Sequence, residues 1–256
     1  MEPKDFLVIA IIVVGSGGIL GGLAALLKVF FDRRSIDTTH KRRVKEALLK
    51  KIVEYVEKYY LPMLCESDGL AYSLKEKEKD ERTFLYLCRY ASRRLEVTRG
   101  MPGYFLRTRA GEAMVRRLED EIYNDFTKSQ ECLSPIDWNQ MAAMTSSHET
   151  WAEFQPKLEI EPLKGAFERF QKWRGDSNIA EKASIHLRCY IKFLEYEINE
   201  VLKDWYGKKP ELVLEKTEKE EINNLIEDLV KDRELSSNEA KDLKSLLDKA
   251  ELLLTE

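Results

Sequence analysis

Cysteine, proline and glycine are all scarce in this chain, at four, seven and twelve residues of 256. So few turn-forming residues, beside 34% charged residues, argue against a turn-rich all-β fold and favour helices. The cysteines (Cys65, Cys88, Cys132, Cys189) lie far apart and make no Cys-x-x-Cys. That spacing excludes a dense disulfide framework and fits buried thiols in a reducing compartment. Also missing are a P-loop, Gly-x-Gly-x-x-Gly, His-Glu-x-x-His and Gly-x-Ser-x-Gly. The sequence therefore assigns no catalytic residue, metal ligand or cofactor.

Charge is missing from one place in particular. Phe6 to Phe31, FLVIAIIVVGSGGILGGLAALLKVFF, carries a single charged residue, Lys28. A hydrocarbon core needs about 20 apolar residues, and 26 residues at about 1.5 Å each reach nearly 39 Å. No polar face recurs between Phe6 and Leu27, as it would on a soluble helix. The start, MEPKD, lacks the basic region of an export signal, and the apolar run continues past Ala24-Ala25. Residues 6–31 are thus expected to form a transmembrane helix.

The flanks orient it. From Lys28 to Lys51 there are nine basic and three acidic residues, including Arg33, Arg34, Lys41, Arg42 and Arg43. Basic residues beside a span stay in the cytoplasm. The expectation is a single-pass plasma-membrane protein with residues 1–5 outside and everything after the span in the cytoplasm. The mean hydropathy of -0.44 is that of one span in an otherwise water-soluble chain. The far end is the opposite in sign: Glu215 to Glu256 holds thirteen acidic and seven basic residues. The basic base can hold anionic headgroups, or it can serve only to fix topology.

The remainder reads as consecutive helices with almost no strand signal. Val44 to Leu64 places Val44, Leu48, Ile52, Val56, Tyr59 and Met63 on one side and is expected to stop around Pro62 and Gly69. A second helix carries Phe84, Leu85, Leu87, Cys88, Ala91 and Leu95 and ends at Arg99-Gly100-Met101-Pro102-Gly103. A third runs from about Arg109 to Phe126, and Ser134-Pro135-Ile136-Asp137 opens a fourth. Leu163, Ala166, Phe167, Phe170 and Trp173 make an aromatic stripe, read as core. The longest helix, about Asn178 to Tyr206, spaces Ala183, Leu187, Tyr190, Leu194, Ile198, Val201 and Trp205 by threes and fours. The expected fold is all-α: the transmembrane helix, a cytoplasmic helical bundle over 32–206, a linker over 207–216 and a helical hairpin over 217–256.

Two capping boxes, Thr217 with Glu220 and Ser236 with Glu239, are read as the hairpin's helix starts. Its turn region, LVKDRELSSNEAKDLKSLL, resembles the short C-terminal hairpins of SHOCT-type and phasin-type proteins, with Arg233 where those usually have glycine. That resemblance covers roughly 25 residues and implies oligomerisation or partner contacts. The order of span, basic stretch, Tyr59-Tyr60-Leu61-Pro62, then Phe84-Leu85-Tyr86-Leu87-Cys88-Arg89-Tyr90 also resembles a group of prokaryotic single-span membrane-anchored helical proteins. It implies a topology and carries no activity.

Three clusters hold residue types capable of chemistry. His186 and Cys189 are three apart on one helix, but two ligands are not a metal site, and core packing is the better reading. Ser146-Ser147-His148-Glu149 names the parts of a triad, yet adjacent side chains point apart. The stretch from Arg93 to Arg117 is different: its basic residues are all arginine, namely Arg93, Arg94, Arg99, Arg107, Arg109, Arg116 and Arg117. Arginine suits planar phosphate and carboxylate contacts. Lipid headgroups, an acidic partner or the protein's own acidic tail would fit, as would simple pairing with Glu119, Asp120 and Glu121. Nucleic acid is disfavoured by the acidic chain.

Within the span, Gly17, Gly21 and Ala25 recur every four residues, and Gly18 and Gly22 overlap them. Small residues so spaced let two helices approach closely, making a homo-oligomer one expectation. The leading functional reading is a membrane-tethered, non-catalytic scaffold that presents its bundle to cytosolic protein partners. A self-associating membrane effector or regulator is the alternative. An enzyme with an unrecognised helical active site is the third, and it predicts a polar pocket with converging titratable groups.

Overall fold

The computed structural model describes residues 56–100, 109–128, 133–206 and 211–252, with residues 46, 47, 50, 53 and 54. The expected span at 6–31 and the basic residues up to Arg43 lie outside the described residues. Among the described residues no helix is long and apolar enough to cross a membrane. The chain divides into two units, Met1–Tyr60 with Glu96–Phe105, and Leu61–Leu95 with Leu106–Glu256. In the first, Val56–Tyr60 is a π-helical turn, and Lys50 meets Glu54 at 3.9 Å.

The second unit is built of helices, as its composition requires. They are α1 (Leu61–Lys75), α2 (Asp80–Gly100, of which Asp80–Leu95 belongs here), α3 (Arg109–Thr127), α4 (Pro135–Met144), the single turn α5 (Trp151–Phe154), α6 (Leu163–Arg174), α7 (Ser177–Tyr206), α8 (Lys216–Lys231) and α9 (Ser237–Lys249). The 30-residue α7 is the central member, packed against α1, α3, α6 and α8. Its seam is buried as the spacing predicts at Ala183, Leu187, Tyr190, Leu194 and Ile198; the side chains of Val201 and Trp205 lie outside the described set. Of the α6 stripe, Leu163, Ala166, Phe170 and Trp173 are core as expected, while Phe167 is only half-buried. Phe170 stacks on Trp173 at 5.5 Å, Trp173 on Phe126 at 4.6 Å, and Phe84 meets Phe167 and Phe170. Each fully buried ring of this kind stabilises the fold by about 1.5–3 kcal/mol through apolar burial.

Several local expectations need correction. The helix expected to stop around Pro62 and Gly69 instead runs from Leu61 to Lys75. Pro62 is its second residue, where a missing N–H is harmless. Gly69 is kept small because a Cβ there would lie 2.8 Å from the ring of Tyr86. Cys65 is exposed, whereas Cys88 and Cys189 are buried as foreseen. The hairpin's first helix is opened by Glu215 and Glu218, not by Thr217 and Glu220. The boxes at Ser134 and Ser236 are where the sequence puts them, closed by Asp137 and Glu239.

Residues 211–252 form a helical hairpin that packs on α3 and α7 within the same unit. Ile222, Leu225, Ile226 and Leu229 of α8 and Leu243 and Leu247 of α9 are buried. Between the helices, Glu234 N–H bonds to the Leu229 carbonyl and Arg233 N–H to the Val230 carbonyl, with Arg233 at φ 61°. This is a Schellman turn, whose left-handed position favours glycine. The two ends are tied by strands too short to read from sequence, β1 (Val213–Leu214) and β2 (Glu251–Leu252), paired in parallel.

Candidate functional site: a charged seam under the hairpin

The residues that draw attention are those between α7, α3 and α8. His186 sits one position ahead of Leu187 in the α7 seam and is fully buried. Its Nδ1 lies 2.5 Å from Asp125 of α3, and its Nε2 lies 2.8 Å from Glu221 of α8. Both ring nitrogens face carboxylates, so the imidazolium with two N–H donors is the state that fits. Burial alone would lower its pKa, but the hydrogen bonds to Asp125 and Glu221 outweigh it and hold the ring up at about 9. Burial raises the Asp125 carboxyl in spite of His186, while the His186 hydrogen bond lowers that of Glu221. Trp173 fixes the strand of chain behind Asp125, its indole N–H donating to the Asp125 carbonyl at 2.8 Å.

One turn further along α7, Arg188 and Lys192 converge on Glu218, whose side chain is wholly buried. Arg188 Nε donates to it at 3.0 Å and Lys192 Nζ at 2.6 Å. The same carboxylate accepts the Glu215 backbone N–H at 2.7 Å, so the cap that starts α8 is also its anchor to the bundle. Arg188 reaches Glu215 as well, at 3.7 Å, and the Cys189 thiol lies 3.7 Å from the Glu218 carbonyl. On α3, Arg117 meets Asp232 at 3.4 Å and Asp228 at 3.9 Å, and Arg109 reaches Glu239 at 4.0 Å. The basic partners all come from the bundle, and the acidic ones come from the hairpin except Asp125 and Glu121 of α3, which meet His186 and Arg117. The pairs on buried Glu218 and His186 fix geometry more than they add net stability, and removing one partner costs about 3–5 kcal/mol, whereas the exposed Arg117 and Arg109 pairs contribute little.

The structure separates the residues picked from sequence. Of the arginines, Arg93 contacts His148 at 3.1 Å. Arg94 donates to the Glu119 carbonyl, meets Asp120 and covers the ring of Tyr123. Arg116 pairs with Glu112, and Arg109 and Arg117 join the hairpin contacts above. The Arg99 side chain and residues 101–108, Arg107 among them, lie outside the described set, as do Arg33, Arg34, Lys41, Arg42, Arg43, Gly17, Gly18, Gly21, Gly22 and Ala25. The Ser146–Glu149 group makes no triad. Glu149 is held by Lys157 at 2.6 Å and by the Ser146 N–H, and its carbonyl accepts from Arg89.

Asp125, Arg188, Lys192, Glu218 and Glu221 were not singled out in sequence, yet a signal exists. Arg188 and Lys192 are i,i+4 beside an apolar seam, and Glu218 and Glu221 flank Ile222 on one helical face. Beside the seam a cleft of about 660 Å³ is lined by Arg174, Arg188, Ser184, Glu181 and Glu215. Its arginines are engaged with protein atoms, Arg174 with Thr83, Asp80 and the Ser73 carbonyl. No group of three or more His, Cys, Asp or Glu placed to hold a metal occurs among the described residues. No protein-family model, curated protein or solved structure matches this chain.

Proposed function

We propose that this chain is a membrane-tethered, non-catalytic interaction protein whose helical bundle receives amphipathic helices through the α3–α7 face. The observation that supports this reading is the charged seam. A basic bundle face, Arg117, His186, Arg188 and Lys192, meets the carboxylates Asp228, Glu221 and Glu218 on a helix that also buries an apolar stripe, Arg188 and Lys192 sharing Glu218. That is the helix-in-groove mode of recognition, with apolar anchors for affinity and charges for register. The tether rests on the apolar run Phe6 to Phe31 and its basic flank.

Capture of partners from detergent-solubilised native membranes tests the proposal, using the full chain and one lacking residues 207–256. A changed partner set is expected, because deletion both removes the hairpin and uncovers the face. An unchanged set would sink the idea that this end of the chain recruits. The small-residue spacing at Gly17, Gly18, Gly21, Gly22 and Ala25 favours one further reading, a self-associating effector. Crosslinking that yields only monomers in native membranes would remove it.

A further inference from the structure

A neutral imidazole carries one N–H and an imidazolium two. His186, fully buried on α7, has a carboxylate at each nitrogen: Asp125 of α3 lies 2.5 Å from Nδ1 and Glu221 of α8 lies 2.8 Å from Nε2. When the ring gives up one proton, one of these contacts becomes a lone pair facing a carboxylate oxygen. The surroundings decide which. The Asp125 side chain is 8% exposed and its backbone is held from α6 by the Trp173 indole, so it has little access to water. Glu221 is 23% exposed on the flank of α8 and can turn to solvent. Stranding a buried carboxylate costs more than freeing one that water can reach. The remaining proton therefore stays on Nδ1, and Nε2 is the nitrogen that empties.

We infer that the Nε2 proton is a latch between α7 and α8. With it, α8 is held to the bundle at Glu221; without it, Glu221 swings out and α8 loosens locally while Asp125 keeps its contact. Glu218 remains anchored on Arg188 and Lys192, so the hairpin stays in place and only the turns of α8 beyond that anchor gain freedom. The other groups around the ring do not supply the switch. Glu121 stands beside Asp125 on α3, Lys182 of α7 acts on both carboxylates, and Asn224 of α8 bonds to Glu221. Burial pushes the Cys189 thiol up, away from the range in which the ring titrates. The two carboxylate contacts hold the ring at about 9, so the latch is closed below that pH and opens as pH rises through it. The coupling is reciprocal: an event that lifts Glu221 off the ring favours loss of the proton.

The test uses the full chain, labelled with 15N-histidine and purified in detergent, its three histidines told apart by His186→Gln. His186 is expected to be doubly protonated at neutral pH and to become the Nδ1–H tautomer at about pH 9. Hydrogen exchange, corrected for the intrinsic effect of pH, should show amides of α8 around 221–229 opening about tenfold or more between about pH 7 and pH 10. Glu221→Gln should abolish that step, since an amide can accept from a protonated Nε2 and donate to a bare one. An Nε2–H tautomer at high pH, a ring already neutral at pH 7, or an α8 step that persists in Glu221→Gln would each overturn the inference.

Discussion

His186→Gln probes the seam where its chemistry is most specific. In the folded chain the ring titrates at about 9 against an ordinary 6.5, so it binds a proton in the folded state that the unfolded state has lost across that window. The sign follows: this stabilisation is complete below about pH 6.5 and disappears as pH rises through about 9. Two and a half units correspond to about 3 kcal/mol, lost at roughly 1.4 kcal/mol per pH unit. Glutamine offers a donor NH2 and an acceptor oxygen but no charge, so it cannot donate from two opposite ends as the imidazolium does and leaves the Asp125 carboxylate, only 8% exposed, without its cation. At about 2–4 °C per kcal/mol for a unit of this size, the variant should melt roughly 6–12 °C lower at pH 6.5. Urea titrations of both proteins from pH 6 to 10 are the assay. The wild-type and variant curves should converge near pH 9. A difference that stays constant across the range would refute the account of His186 as a buried, doubly bonded imidazolium.

Three other perturbations have definite expected outcomes. Glu218→Gln leaves Arg188 and Lys192 facing a neutral amide and should cost about 3–5 kcal/mol in urea unfolding; a loss under 1 kcal/mol would mean the pairing is peripheral. Arg233→Gly should stabilise the protein by about 0.5–1 kcal/mol, because Arg233 sits at φ 61° where glycine has no Cβ penalty, and a lower melting temperature would contradict the Schellman assignment. In the proposed transmembrane segment 6–31, Gly18→Ile with Gly21→Ile should lower self-association in a membrane two-hybrid assay without changing insertion, and unaltered association would place the contact elsewhere.

What the sequence made legible was mostly periodic. Ala183 to Ile198 of the α7 seam and Leu163, Ala166, Phe170 and Trp173 of the α6 stripe are buried where threes and fours put them, because burial of an apolar face is a local property of the pattern. Boundaries were legible where a side chain closes a cap, as at Ser134 and Ser236, and not at Pro62 and Gly69. There proline falls at a helix start and glycine makes room for Tyr86 across the bundle, a tertiary demand that no local signal encodes. The start of α8 was misplaced by two residues for a related reason. Thr217 and Glu220 have the better local chemistry, but Glu218 is selected by Arg188 and Lys192 on another helix. The seam was hidden for the same cause: its members lie far apart in the chain, from 26 residues for Lys192 with Glu218 through 61 for His186 with Asp125 to 115 for Arg117 with Asp232.

The most direct measurement of the central claim, that charged contacts seat the hairpin on the α3–α7 face, is hydrogen exchange of the full chain read by mass spectrometry. Wild type is compared with a Glu218→Gln, Glu221→Gln double variant. The account predicts that amides of α8 and α9 lose protection together with those of α7 around 186–192, while α1 and α6 keep theirs. Unchanged protection of α8 and α9 in the double variant would contradict it.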